Sequence, residues 1–191
     1  MTVVRGTIWL TLALVCLAAC GAATRGQPTP QAQGGGTVAN FNLTSAGFAE
    51  GAAIPARYTC DGENSAPPLG WDGPPEARSF VLIVDDPDAP RGTFTHWVLY
   101  DIPGAQRELP AGLANVGALG TPGMNDFSRV GYGGPCPPRG GGAHRYFFTL
   151  YALDIPSLLV PAERPRQEIE ATMRGHVIGQ AKLMGRYARK S

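Results

Sequence analysis

Six side chains that could support binding or catalysis fall in two short stretches of the sequence. The first stretch, VDDPDAPRGTFTHW, follows an apolar run, and the second, HRYFF, follows a glycine-rich segment. The six are Asp85, Asp86, Asp88, His96, His144 and Tyr146. A carboxylate beside an imidazole raises the pKa of that imidazole and fixes its tautomer, so the far ring nitrogen can then donate to an anion. If the two stretches meet in the fold, they predict a small polar pocket.

Turn formation is the alternative explanation for the aspartates, because Asp and Pro are both favoured in turns. Under that interpretation Asp86 and Asp88 cap the turn after the preceding strand. In the pocket interpretation, Asp86 orients a histidine rather than touching the anion. Asp85 is expected to have a surface role, and a structural role is the alternative for His144. The third histidine, His176, is expected to be a surface or packing residue.

A hydrolase-like enzyme is the alternative function. His96, His144 and Asp86 could serve as general acid or base groups, or as ligands of a divalent metal. The chain nevertheless has no GxSxG, GxxxxGK[ST] or HExxH motif. It offers no evident nucleophile either, since Cys136 is expected to be in a disulfide. We therefore expect a non-enzymatic binding protein with no catalytic residue, no cofactor and no metal.

The elements that must position these residues are mainly strands. Gly 26 and Pro 18 argue for many turns and against a helical bundle. Apolar or aromatic runs of strand length are SFVLIVDD (79–86), THWVLYDIP (95–103) and HRYFFTLYALD (144–154), with FNLTSAGF (41–48) as a weaker first strand. Their irregular spacing and long loops predict an antiparallel β-sandwich rather than a βαβ array.

Only the C-terminal segment has helical character. Ile169, Met173, Val177 and Ile178 recur there at helical spacing, and Gly175 is the weak point of the pattern. The predicted fold class is therefore mostly β, with two sheets and a few peripheral helices, one of them near the C-terminus.

The N-terminal segment predicts export. Residues 1–20 contain one basic residue and then an apolar run that is too short to span a membrane comfortably. The run ends in LAAC, which resembles a bacterial lipobox and makes Cys20 the candidate lipidation site; an ordinary secretory signal is the alternative. Residues 21–37 are rich in Gly, Gln, Pro and Thr and predict a flexible linker. The folded domain is then 38–191, lipid-anchored on the extracytoplasmic side of a bacterial membrane.

Charge and cysteine content add two expectations. Lys+Arg 16 against Asp+Glu 15 leaves almost no net charge, which gives no support to nucleic-acid binding or to a basic membrane-binding surface. Contact with the membrane is therefore expected only through the anchor. Cys60 and Cys136 remain after the N-terminal cysteines are set aside, and in an exported domain they predict one disulfide. Two free buried thiols are the alternative.

Several of these segments resemble one known family. DPDAP followed by HW, then GYGGPCPP and HRYFFTLYALD, look like the two signature regions of the phosphatidylethanolamine-binding proteins, also called Raf kinase inhibitor-like proteins. YTCDGENSAPPLGWDGPP, NDF and GHVIGQAKLMGRY fit the bacterial YbhB/YbcL branch. The resemblance covers roughly 41–186, and its separate motifs occur in the expected order.

The resemblance implies a two-sheet antiparallel domain with a small anion-binding pocket at one end. It places Asp86, Asp88 and Pro90 in one wall, points His96 and His144 inward, and lines the cavity with Tyr146. Gly134 and Cys136 would supply the loop that closes it, with backbone N–H groups available to the anion. The implied partners are a phosphate-like or phosphoethanolamine-like ligand or a phospholipid head group, and a protein target such as a kinase or protease. A monomer or small dimer is implied.

The segment before His96 departs from the family pattern. Animal members carry further histidine and aromatic residues there, whereas this chain has GTFT, with Phe94 as its one aromatic residue. We therefore expect a more open pocket mouth. Regulation of a eukaryotic kinase does not transfer to an exported bacterial domain.

Overall fold

A computed structural model describes residues 38–112 and 119–191. The predicted signal segment 1–20, with its candidate lipidation site Cys20, and the predicted linker 21–37 lie outside the described residues. In the described part of the chain, no helix has the length and apolar character needed to cross a membrane.

The described residues form nine strands, one α-helix and one short 3-10 helix. The strands are β1 (Ala39–Asn40), β2 (Leu43–Thr44), β3 (Leu69–Trp71), β4 (Ser79–Asp86), β5 (Phe94–Pro103), β6 (Glu108–Leu109), β7 (Thr121–Pro122), β8 (His144–Leu153) and β9 (Val177–Tyr187). The 3-10 helix is Ala56–Tyr58, and the helix α1 is Arg166–Met173.

Two sheets carry the fold, as predicted. The large sheet has six strands in the order β1-β9-β8-β4-β5-β7, and the small sheet has three in the order β2-β3-β6. The pairs within them are antiparallel except for β1 and β9, which run parallel. Three of the four long strands, β4, β5 and β8, are those that the apolar runs predicted.

Strand β4 is buried on both faces, which explains its nearly unbroken apolar sequence. Phe80, Leu82 and Val84 point into the core between the two sheets. Val81 and Ile83 point the other way, into a second core that includes residues of α1. Because side chains alternate along a strand, this parity also decides which face each residue at the strand's end occupies.

The C-terminal segment differs from the sequence prediction. The helix ends at Met173, and Val177–Tyr187 is an eleven-residue strand paired with β8 along its length. Gly175 has φ +88°, a left-handed conformation that glycine adopts readily and that ends the helix here. Beyond it the burial alternates: Ala181 and Leu183 are buried and Lys182 is exposed, which is the period of a strand.

The predicted disulfide is present. Cys60 and Cys136 are bridged, with their Cα atoms 5.4 Å apart and a sequence separation of 76. The Cys60 amide also donates a hydrogen bond of 3.1 Å to the Pro135 carbonyl. The bridge therefore ties the loop after the 3-10 helix to the glycine-rich loop before β8.

Candidate ligand-binding site

One face of the large sheet brings most of the predicted site residues to the same end. Asp86 has the same parity as Val84 on β4, so it faces the core between the sheets. His144 and Tyr146 share the parity of Phe148, which is in that same core. Because β4 and β8 are antiparallel neighbours, the end of one strand lies beside the start of the other.

A β-bulge brings His96 to this face as well. Val84 pairs with Trp97 and Asp85 pairs with Thr95, so His96 has no partner on β4. A bulge inserts an extra residue and re-aims the side chains around it. The His96 ring packs against the rings of Tyr146, Phe94 and Phe127, with centroid distances of 5.2–5.3 Å.

These residues border a solvent-accessible cavity of about 580 Å³. Five of the predicted site residues line it: Asp86, Pro90, His96, Cys136 and His144. Three others do not: Asp88, Gly134 and Tyr146. The volume is in the range of small-molecule sites.

Asp86 performs both of the roles that the sequence left open. Its Oδ2 atom accepts a 2.7 Å hydrogen bond from Nδ1 of His144, and its Oδ1 atom accepts one of 2.9 Å from the Asp88 amide. Both side chains of the His144–Asp86 pair are less than 10% exposed. The carboxylate therefore closes the turn after β4 and also fixes the ring of His144 with Nδ1 protonated.

His96 is held by the backbone rather than by a carboxylate. Its Nδ1 donates a 2.7 Å hydrogen bond to the Gly133 carbonyl, and the Gly133 amide donates one of 2.8 Å to the His96 carbonyl. Burial lowers the pKa of His96, against the opposing effects of the Gly133 hydrogen bond and the Asp86 charge. In the neutral ring Nδ1 carries the hydrogen, so Nε2 is a hydrogen-bond acceptor.

The predicted residues outside the cavity wall have other partners. Asp88 pairs with Arg145 at 2.6 and 2.9 Å, and these hydrogen bonds lower its pKa to about 2. The Gly134 amide donates a hydrogen bond of 2.8 Å to Oδ1 of Asn64, so this N–H group is not available to an anion. Tyr146 backs the His96 ring from inside the core, and its buried hydroxyl has no hydrogen-bond partner among the described residues.

Asp85 does not have the surface role that the sequence suggested. Its side chain is 14% exposed and lies on the opposite face of the sheet, where it contacts Arg166 at 2.8 Å and Thr95 at 3.1 Å. Burial raises its pKa to about 6, although the Arg166 charge opposes the shift. The parity of β4 explains the error, because adjacent aspartates must point to opposite faces and both faces are covered here.

Substituting Asp85→Asn should change the pH dependence of stability. The pKa of Asp85 is 3.8 ordinarily and about 6 in the folded state, so the folded state holds its proton more strongly. The wild type should therefore lose about 3 kcal/mol relative to the variant as pH rises from about 4 to about 7. Urea unfolding of both proteins across this range measures the difference.

Asp88→Asn serves as the control with the opposite sign. Since the folded-state pKa of Asp88 is lowered, the wild type should gain stability over this variant as pH rises from about 2 to about 4. Parallel pH curves for the wild type and Asp85→Asn would contradict the burial of Asp85.

Sequence reasoning missed several residues of the cavity wall. Asp126 and Phe127 line it and belong to the NDF motif, which supports the family resemblance but by itself indicates no site role. Arg91 and Arg189 also line it, and no local pattern marks them. Arg189 comes from the C-terminal segment and is held by Asp61 at 3.0–3.2 Å, a pairing across more than a hundred residues.

Two further predictions concern histidine and metal sites. His176 is expected to be a surface or a packing residue, and it lies at the surface. Its Nδ1 atom contacts the Asp154 carboxylate at 3.0 Å. Within residues 38–112 and 119–191, no three His, Cys, Asp or Glu side chains are grouped as metal ligands.

Comparison with known proteins decides the family. A model of the family described as phosphatidylethanolamine-binding protein matches residues 44–188. The chain belongs to this family. The match includes both stretches from which the site was predicted, and it confirms the family resemblance.

Individual relatives agree with this assignment. An Aquifex aeolicus protein named "UPF0098 protein" is 49% identical over 168 residues, which are 81% of this chain and 98% of the relative. The crystal structure of E. coli YbcL, described as a new member of the mammalian PEBP family, gives a TM-score of 0.74 at 28% identity. That alignment covers 78% of this chain and 99% of YbcL, which confirms the fold class.

A third relative has a name that describes a lipoprotein. A Mycobacterium tuberculosis protein named "Putative lipoprotein LppC" is 40% identical over 147 residues, which are 77% of this chain and 72% of the relative.

Proposed function

We propose that this protein is a non-enzymatic member of the family that binds a small anionic or phosphorylated ligand in the cavity. The observation that carries the proposal is the pair of imidazoles in the wall, each fixed at Nδ1 by an acceptor. His144 is fixed by the Asp86 carboxylate and His96 by the Gly133 carbonyl. Fixing Nδ1 leaves Nε2 of each ring as the atom available to a ligand.

The remainder of the wall suits a small ligand with an apolar attachment. Arg91 and Arg189 border the cavity and supply donors for oxyanion oxygens. Phe94, Phe127 and the prolines supply apolar surface beside them. A phosphate or phosphoethanolamine-like group, or a phospholipid head group, combines these two requirements.

A binding role is supported over catalysis by the state of the wall residues. Cys136, which lines the cavity, is in a disulfide and is therefore unavailable as a nucleophile. The Asp86 carboxylate has both oxygens engaged, in the turn and with His144. Inhibition of a kinase or protease, which the family resemblance implies, stays a prediction, as does the monomeric or dimeric state.

We also propose that the domain is exported and lipid-anchored through Cys20. Three observations support this: the LAAC sequence, the disulfide and the name of the relative LppC. Disulfides persist in oxidising compartments and are rare in reducing ones. Metabolic labelling with a fatty acid should mark the wild type and fail to mark Cys20→Ala; equal labelling of both would contradict the anchor site.

Thermal unfolding with added inorganic phosphate tests the binding proposal. A ligand that binds only the native state stabilises it by mass action, by about 3 kcal/mol at one hundred times its Kd. The melting temperature of the purified protein should rise with phosphate, and His96→Asn and His144→Asn should each abolish most of the rise. His176→Gln is the matched control, since His176 is outside the cavity, and it should respond as the wild type does. An equal rise in all four proteins would contradict the proposal.

A further inference from the structure

We propose that the cavity selects oxyanions that still carry a proton, such as the monoanion of a phosphomonoester, over oxyanions of equal charge without one. This inference rests on the proposed function and specifies the form of ligand that the site accepts. It follows from the direction of the hydrogen bonds that the wall offers and from the balance of its charges.

His96 presents an acceptor to the ligand. Its Nδ1–H is committed to the Gly133 carbonyl, which can only accept, so neutral His96 has a lone pair on Nε2. Burial favours this neutral form by lowering the pKa, although the Gly133 hydrogen bond and the Asp86 charge oppose the shift. The aromatic rings of Phe94, Phe127 and Tyr146 pack against the His96 ring, with centroid distances of 5.2–5.3 Å. A ligand oxygen without a hydrogen would face this lone pair unfavourably.

The Asp86 carboxylate holds the ring of His144 by accepting from Nδ1, which leaves Nε2 as the atom available to a ligand. The Tyr146 hydroxyl nearby remains protonated, since burial raises its pKa. The wall therefore contains one neutral imidazole acceptor, His96, in addition to the carboxylates, and a bare oxyanion would lack a complementary donor at this position.

The charged groups of the wall balance one another. Asp86 and Asp126 are opposed by Arg91 and Arg189, and Arg189 is already paired with Asp61 at 3.0–3.2 Å. The adjacent Asp88 and Arg145 form a closed pair outside the cavity. The site thus has no excess of positive charge to neutralise a dianion, whereas a monoanion with a P–OH group can accept from the arginines and donate to His96.

Two ligands of matched size and equal charge test whether the hydrogen, rather than the charge, controls binding. Below its second pKa, near 6, methyl phosphate is a monoanion with one hydrogen, and methyl sulfate is a monoanion with none. Isothermal titration at about pH 5 should therefore show methyl phosphate binding at least about tenfold more tightly, since methyl sulfate leaves the Nε2 lone pair of His96 unpaired. The affinity for methyl phosphate should then fall up to about tenfold per pH unit above its second pKa.

His96→Asn should reduce this discrimination. The variant lacks the imidazole whose Nδ1–H is held by the Gly133 carbonyl, so it lacks the Nε2 lone pair that accepts from the ligand. The affinity for methyl sulfate should rise relative to methyl phosphate. His176→Gln replaces a histidine outside the cavity that contacts Asp154, so it should leave the ratio of the two affinities near the wild-type value.

The outcomes distinguish the two levels of the proposal. Equal binding of methyl phosphate and methyl sulfate by the wild type would overturn proton selection and leave anion binding intact. Binding of neither ligand would overturn the proposed function itself. An identical ratio in the wild type and His96→Asn, with both folded, would contradict the role assigned to His96 as an acceptor.

Discussion

Loss of the disulfide is expected to lower the free energy of unfolding by about 4 kcal/mol. The bridge joins Cys60 and Cys136 across a sequence separation of 76, and cross-linking a longer loop restricts the unfolded chain more. Guanidinium unfolding of the oxidised wild type and of Cys60→Ser/Cys136→Ser would measure the difference. The double substitution avoids leaving one unpaired thiol.

The same variant should also weaken ligand binding. Cys136 lines the cavity, and Gly133, three residues before it, holds His96 through two hydrogen bonds. Loss of the bridge frees the glycine-rich loop from Cys60 and so loosens the support of the His96 ring. A difference in unfolding free energy below about 1 kcal/mol would contradict the assigned structural role of the bridge.

Truncation of Trp97 is expected to have an effect of similar size. Its side chain is 0% exposed and packs edge-on against Tyr132 with ring centroids 5.3 Å apart. Trp97→Ala should cost about 3–5 kcal/mol of stability, because it removes a large buried side chain and leaves a cavity. Since Trp97 follows the bulged His96 directly, the truncation should also disturb the site.

Trp97→Phe is the matched control. The indole Nε1 of Trp97 is buried without a hydrogen-bond partner among the described residues, so phenylalanine would leave no acceptor unpaired. Most of the ring packing would remain, and the loss of stability should be well below that of Trp97→Ala. Chemical unfolding curves of the three proteins provide the comparison. Similar losses in the two variants would show that the burial of the ring does not control stability at this position.

The central strands and the cluster of site residues were predictable because their causes are local. An apolar run with turn residues at each end predicts a buried strand, and 79–86 coincides with β4. Asp86 and His144 occur at the ends of neighbouring antiparallel strands, so their convergence required only that β4 and β8 pair. Local sequence also indicated the turn that Asp86 closes with the Asp88 amide.

Other features depend on contacts that a local pattern does not contain. The helical spacing of Ile169, Met173 and Val177 continued past Gly175, whereas pairing with β8 makes the following segment a strand. The bulge that turns His96 inward is a matter of register between two strands. Arg189 enters the site through its pairing with the distant Asp61.

The imidazole nitrogen NMR spectrum, recorded during a titration with inorganic phosphate, tests the central claim most directly. The chain has three histidines, and His96→Asn, His144→Asn and His176→Gln would assign their signals. Both His96 and His144 should carry hydrogen on Nδ1 in the free protein. Phosphate should shift the Nε2 signals of these two rings and leave those of His176 unchanged. Unchanged signals for His96 and His144 at saturating phosphate, or a hydrogen on Nε2 of His96 in the free neutral ring, would contradict the account.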